Sequence, residues 1–323
     1  MRFSAKWAMV FVGVLAGCWL GLGMGPAAAE EAGFQVSAKS YVIMDAHTGQ
    51  ILLSCNPQLF CPPASTLKVM TAMSVVEHLK LDDKVPVSAY AASAPPSKIS
   101  IKAGETYTVR DLLYAMLLSS ANDAARALAE KVSGCEEEFA RQLTREVRQW
   151  GANRTTLATA NGLPADNQFT TAQDLALMFK RAMANPELAK IMATKYYTIQ
   201  GDRELRNHNR FLFTTLLAVA GKTGFTRASR HTYVGMFQNG DKAIIVAMMG
   251  STKNWADLRP LIEKGFELAG APIAELPPAE EKLYFPSRLK TARARAVMGS
   301  ALCVPVRKRA ISRKRSRHRE EQS

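Results

Sequence analysis

Three short clusters of reactive side chains stand out in this 323-residue chain: Ser65-Thr66-Leu67-Lys68, Ser120-Ala121-Asn122 and Lys222-Thr223-Gly224. Each alone is common. Ser287-Arg288-Leu289-Lys290 repeats the first spacing and Ser54-Cys55-Asn56 the second. Only the Ser65 cluster falls at a proline-marked helix start and is followed, 55 and then 102 residues on, by the other two. On a helix, residues three apart are neighbours with Cβ atoms about 5–6 Å apart, so Lys68 can reach the Ser65 hydroxyl. A serine hydroxyl is a poor nucleophile until a base takes its proton. Lysine is that base only as the neutral amine, so its pKa must fall from about 10.4 toward roughly 7–8. Three units are worth about 4 kcal/mol, within reach of partial burial and a second cation nearby, for which Lys222 is the candidate.

These residues need a frame to hold them. Tyr41–Met44 and Ile51–Leu53 read as strands joined across His47-Thr48-Gly49. Pro62-Pro63 punctuates the chain before helical periodicity runs from Ala64 to Leu79. Thr108-Val109-Arg110-Asp111 has capping-box spacing ahead of the apolar run to Leu118. Helices are expected from Asn122 to Val132, ending at Gly134, from Glu136 to Trp150, and from Thr171 onward. Thr232–Phe237 and Ala243–Met249 flank Asn239-Gly240, a hairpin signal, and Trp255–Leu268 returns to helical spacing. Strands at both ends with helices between them predict an α+β fold. Its antiparallel sheet is closed by the chain's two ends, flanked by helices, and carries an inserted helical lobe.

Arg2 and Lys6 precede an apolar stretch from Trp7 to Met24 that ends at Ala27-Ala28-Ala29, the pattern of a secretory signal. Cleavage after Ala29 and lipidation at Cys18, within Leu15-Ala16-Gly17-Cys18, both stay open, as does an uncleaved anchor. The reading divides the chain into a signal (1–29), a catalytic domain (30–270) and a linker with a basic tail (271–323), expected to be disordered. The net charge of +14 belongs to that tail, because twelve Lys or Arg and no acid lie between Arg288 and Arg319. Export makes an anionic membrane surface a fitting partner for the tail and nucleic acid a poor one. It also allows Cys55, Cys61, Cys135 and Cys303 to pair, with a local Cys55–Cys61 bridge and free thiols as alternatives. No metal or organic cofactor is implied.

Pro63-Ala64-Ser65-Thr66-Leu67-Lys68, Ser120-Ala121-Asn122-Asp123-Ala124 and Lys222-Thr223-Gly224-Phe225-Thr226 together resemble the low-molecular-mass D-alanyl-D-alanine carboxypeptidases among the penicillin-binding proteins. Asn161-Gly162-Leu163-Pro164 and Thr170-Thr171-Ala172-Gln173-Asp174 extend the resemblance, which runs from about Ser40 to Leu268. It implies removal of the terminal D-alanine from peptidoglycan stem peptides in the periplasm or on the outer face of the cytoplasmic membrane, with β-lactams as covalent inhibitors. Ser65 would be the nucleophile and Lys68 its base, with Ser120 relaying a proton to the leaving amine. Asn122 would orient the substrate amide, and Lys222 and Thr223 would bind its terminal carboxylate. Gly224 would let the strand edge approach the peptide, and the backbone N–H groups of Ser65 and Phe225 would form the oxyanion hole. His208, in Asn207-His208-Asn209, falls near the active site by the same resemblance, whereas His47, His78 and His231 read as structural or exposed.

The chain departs from the family pattern at Ala121, at Ala220-Gly221 and at Arg227-Ala228-Ser229-Arg230. A class A β-lactamase is disfavoured because no Glu falls between Asn161 and Asp174. A DD-endopeptidase would use the same residues, and a non-catalytic peptidoglycan-binding protein is the alternative outside catalysis.

Overall fold

The computed structural model describes residues 35–274 and 276, so the expected signal and nearly all of the expected tail lie outside the described residues. The chain opens with strands β1 (Ser40–Asp45) and β2 (Ile51–Cys55). A 3-10 turn, Ala64–Leu67, leads into α1 (Lys68–His78). Strand β3 (Lys84–Pro86), helix α2 (Ala89–Ala92) and strand β4 (Thr106–Thr108) precede α3 (Val109–Leu118), α4 (Asn122–Ser133) and α5 (Glu136–Gln149). Helices α6 (Ala172–Met183) and α7 (Pro186–Ala193) follow, then the β5 (Tyr196–Ile199) and β6 (Arg203–Arg206) pair and α8 (Phe211–Thr214). Strands β7 (Ala218–Thr226), β8 (Arg230–Asn239) and β9 (Lys242–Ser251) and helix α9 (Trp255–Leu268) close the fold.

The main sheet has the order β2-β1-β9-β8-β7, and all its pairs are antiparallel. Early and late strands of the chain therefore meet inside the sheet, where β1 pairs with β9 and Val42 lies opposite Ala247. Side chains alternate across a strand, so consecutive apolar residues in β1 and β9 serve opposite faces. Val42, Met44, Ile245 and Ala247 join the core cluster that contains α6. Ile43 and Ile244 face α9, where a Cβ on Gly265 would lie 2.9 Å from Ile43 Cγ2 and 2.5 Å from Ile244 Cδ1. The missing side chain lets α9 press onto the sheet. A sheet covered on both faces explains why β9 reads as an unbroken apolar run rather than an alternating one.

Between β2 and β7 the chain builds the helical lobe around α1, which packs against α3, α4, α5 and α6. Every residue from Lys68 to Val75 is buried, so this helix is enclosed on all sides. Truncating Met70, fully buried at its centre, would cost about 2–5 kcal/mol. Local signals set the helix ends around it. Thr108 Oγ1 accepts the Asp111 N–H and Thr171 Oγ1 the Asp174 N–H, and Gly134 ends α4 at φ +84°.

One expectation needs correction. Ala64–Leu67 is a 3-10 turn rather than the first turn of α1. Of the two alternatives left open for Cys55 and Cys61, the free thiols hold and the local bridge does not form. Cys303 lies outside the described residues. The two-stranded pairs β3–β4 and β5–β6 and helix α7 had no counterpart in the expected elements.

Candidate active site

Ser65 stands on the 3-10 turn that carries the chain from Pro63 into α1. The turn is pinned from two sides: Pro63 O accepts from Thr66 Oγ1 at 2.6 Å and from Thr232 Oγ1, on β8, at 2.9 Å. Ala64 lies in the left-handed region at φ +48°, a strained backbone immediately before the nucleophile. Gly224 makes close approach of β7 possible, because a Cβ there would lie 2.4 Å from Thr232 Oγ1 and 2.8 Å from Ser65 N.

Lys68 Nζ has three neighbours: Ser65 Oγ at 3.0 Å, Asn122 Oδ1 at 2.8 Å and the Asn161 carbonyl oxygen at 2.7 Å. Asn122 Nδ2 donates to Pro95 O at 3.1 Å, which turns its oxygen toward the amine. A neutral amine has two N–H donors and one lone pair. The two carbonyl oxygens take both donors, and the lone pair is left facing the Ser65 hydroxyl. Lys68 is fully buried, and its pKa is held well below the ordinary lysine range, first by burial and then by the nearby Lys222 cation. Glu136 and Asp123 pull the other way.

Lys222, on β7, donates to Ser120 Oγ at 3.0 Å and to Thr223 O at 2.8 Å. Burial alone brings its pKa down to about 7. Ser120 bridges α3 and α4 at φ +59° and points its hydroxyl at Lys222; among the described residues no hydrogen bond joins it to Lys68. Ala220-Gly221, one of the departures, has a local reason: a Cβ on Gly221 would lie 2.6 Å from Tyr233 Oη and 2.8 Å from Asn209 Nδ2.

Ser65, Ser120, Thr223, Gly224 and Phe225 line one cleft of about 570 Å³, whereas Lys68, Asn122 and Lys222 are buried behind it. Among the described residues, the charged or titratable ones on its wall are Arg206, His208, Arg210 and His231, with no Asp or Glu. The cleft is thus suited to an anionic ligand. Strand β7 ends the sheet, so its outer edge can receive an extended peptide. His208 stays open to solvent through the cleft, yet its pKa falls to about 4, through burial and then the cations Lys222, Arg206 and Lys68. Water entering the cleft weakens the part due to burial; the three cations support the same direction. His231, expected to be structural or exposed, lies on the cleft wall against Phe225, with ring centroids 4.6 Å apart. The sequence reading also missed the Asn161 carbonyl. A backbone acceptor has no residue type to mark it, even inside the Asn161-Gly162-Leu163-Pro164 motif.

An α+β fold with a Ser–Lys pair under the edge of an antiparallel sheet defines the class of penicillin-binding serine peptidases. The chain is similar over 75% of its length to a solved D-alanyl-D-alanine carboxypeptidase of Mycobacterium tuberculosis, covering 96% of that chain with a TM-score of 0.70 and 31% identity. It is similar over 72% of its length, at TM-score 0.62 and 28% identity, to penicillin-binding protein D2 of Listeria monocytogenes in its ampicillin-bound form, covering 98% of that chain. In sequence it is 33% identical over 242 residues to the D-alanyl-D-alanine carboxypeptidase DacB2 of M. tuberculosis, covering 72% of this chain and 83% of that one. DacC of Escherichia coli is 34% identical over 229 residues, and the match spans 67% of this chain but 57% of the relative. The D-alanyl-D-alanine carboxypeptidase family matches residues 26–253, and the chain belongs to it. It is a hydrolase of the serine type.

Proposed function

We propose that the protein removes the terminal D-alanine from peptidoglycan stem peptides through an acyl-enzyme on Ser65. The observation that carries this reading is the Lys68 amine, buried and directed at Ser65 Oγ by two carbonyl acceptors. Neutral Lys68 takes the hydroxyl proton as Ser65 Oγ attacks the carbonyl of the penultimate D-alanine. The backbone N–H groups of Ser65 and Phe225 receive the oxyanion, where one donor is typically worth about 2.7–4 kcal/mol. Lys222 donates into Ser120 Oγ, which leaves the Ser120 hydroxyl proton for the departing amine, and Lys68 passes the proton it took from Ser65 on to Ser120, so both groups are restored. D-alanine leaves, and water then cleaves the ester and returns the proton to Ser65. Lys222 and Thr223 hold the terminal carboxylate, and Asn122 orients the substrate amide when it is not holding Lys68.

A β-lactam presents the same carboxylate and acyl carbon, so penicillins should label Ser65. Among the described residues, the cleft wall carries no carboxylate to activate a deacylating water, which favours a peptidase over a β-lactamase. A DD-endopeptidase cutting cross-links uses the same groups and remains the second enzymatic reading; a non-catalytic binding protein would need no Lys68 stripped of water. The experiment is D-alanine release from a peptide ending in D-Ala-D-Ala, with and without penicillin and beside Ser65→Ala. Release that survives Ser65→Ala, or no release at all from the intact protein, overturns the reading.

The apolar leader supports export to the periplasm or outer face of the cytoplasmic membrane. The stretch Arg288–Arg319, outside the described residues, would add attraction to anionic lipid of about 1 kcal/mol per charge near the surface. Association with anionic vesicles that ignores both salt and removal of residues 288–323 would sink that part. Among the described residues, no helix is long and apolar enough to cross a membrane.

A further inference from the structure

A buried carboxylate stands behind the site rather than in it. Glu136 opens α5 and is 4% exposed. Its Oε1 accepts from the Ala160 N–H at 2.9 Å and from Asn161 Nδ2 at 3.3 Å. Its Oε2 accepts from Tyr90 Oη at 2.6 Å and from Arg126 Nε at 3.1 Å. Arg126 in turn lies over the Tyr90 ring, 4.2 Å from its centroid. One side chain therefore ties α2, α4 and α5 to the segment 160–162. The start of α5 is a favourable place for its charge, since the helix dipole is positive there.

The segment it holds is the floor of the site. Ala160 O accepts from Thr71 Oγ1 at 2.7 Å, Asn161 O accepts from Lys68 Nζ at 2.7 Å, and Gly162 abuts the Ala64 carbonyl. Of the two N–H bonds of a neutral lysine, one is spent on Asn161 O. If that oxygen drifts, the amine turns and its lone pair leaves Ser65 Oγ. A buried carboxylate costs several kcal/mol in lost hydration, so an apolar side chain would serve better if filling space were the only task.

We propose that Glu136 is a positioning residue for acylation, holding the Asn161 carbonyl where it aims the Lys68 amine at Ser65. This rests on the Ser65–Lys68 reading above. Lys68 is faced by Lys222 from β7, Asp123 from α4 and Glu136 from α5, and it also acts on His208 between β6 and α8. Glu136 is faced by Arg126 and Glu130 from α4 and Tyr90 from α2. The negative charge of Glu136 favours the protonated amine. Removing that charge therefore moves the acid limb of the reaction to lower pH, an effect that loss of packing alone does not produce.

The test is acylation of the full chain by a fluorescent penicillin from pH 4 to 9, for the unmodified protein and Glu136→Gln, scaled to the folded fraction. The expected result is a plateau lower by a factor of about ten to a hundred, as misplacement of a catalytic group produces, together with an acid limb at lower pH. A variant lacking either effect overturns the proposal. If Glu136→Gln does not fold, Tyr90→Phe decides. It removes only the 2.6 Å bond to Oε2, and a plateau lower by several-fold is expected; an unchanged plateau overturns it. Absence of Ser65-dependent labelling in the unmodified protein would instead sink the underlying catalytic reading.

Discussion

Gly162 stands so close to Ala64 that a Cβ built on it would lie 1.8 Å from the Ala64 carbonyl oxygen, on the turn that carries the nucleophile. Its φ of +83° lies where only glycine is free of strain. Gly162→Ala adds a left-handed penalty of about 1–2 kcal/mol to an overpacking cost of about 1–3 kcal/mol. The melting temperature should fall by roughly 5–15 °C in calorimetry. Penicillin labelling per folded molecule should fall with it, because the turn must shift to make room. An unchanged melting temperature would show that the segment can move away freely.

Lys222 should weaken the fold it serves. Burial brings its pKa from 10.5 to about 7. The unfolded chain keeps that proton to about pH 10.4, whereas the folded protein releases it near 7, so stability contributed through this residue rises with pH across that window. Below pH 7 the cost is on the order of 5 kcal/mol. Lys222→Met removes it along with the carboxylate contact. Melting curves should place the variant above the unmodified protein by several degrees at pH 6, and the gap should shrink toward pH 9. A gap that is constant with pH would contradict the burial of a titrating amine.

The pH dependence of turnover should follow the lysines and not the histidine in the cleft. Acylation needs neutral Lys68 and cationic Lys222, so kcat/KM for a D-Ala-D-Ala peptide should be bell-shaped, with its alkaline limb near Lys222's value of about 7. His208 is held below the ordinary histidine range, with the cations Lys222, Arg206 and Lys68 acting in that direction beside what burial remains, which favours the neutral ring across this range. His208→Gln should leave the alkaline midpoint within roughly half a unit of the unmodified protein. A larger displacement in steady-state kinetics would assign that limb to the imidazole.

Much of the frame was legible because its signals are local. Thr108 and Thr171 cap helices through N–H groups three residues on, and Asn239-Gly240 turns β8 into β9. The Ser65–Lys68 contact was legible for the same reason, three residues apart along one turn, although that turn is 3-10 in type. The pairs β3–β4 and β5–β6 were not legible, since strands of three or four residues carry too short a pattern to be distinguished from loops.

The residues in order therefore set which side chains are present to do chemistry, and short-range contacts such as the two threonine caps and the Ser65–Lys68 pair. Tertiary structure alone decided how Lys222 meets Ser120 across 102 residues, how Lys68 meets the Asn161 carbonyl across 93, and how Glu136 holds that segment in place. It also decided the state of the two lysines. Both amines hold their protons less tightly than a free lysine because the sheet, α1 and α4 exclude water around them, and exclusion of water depends on everything packed nearby rather than on any short run of residues.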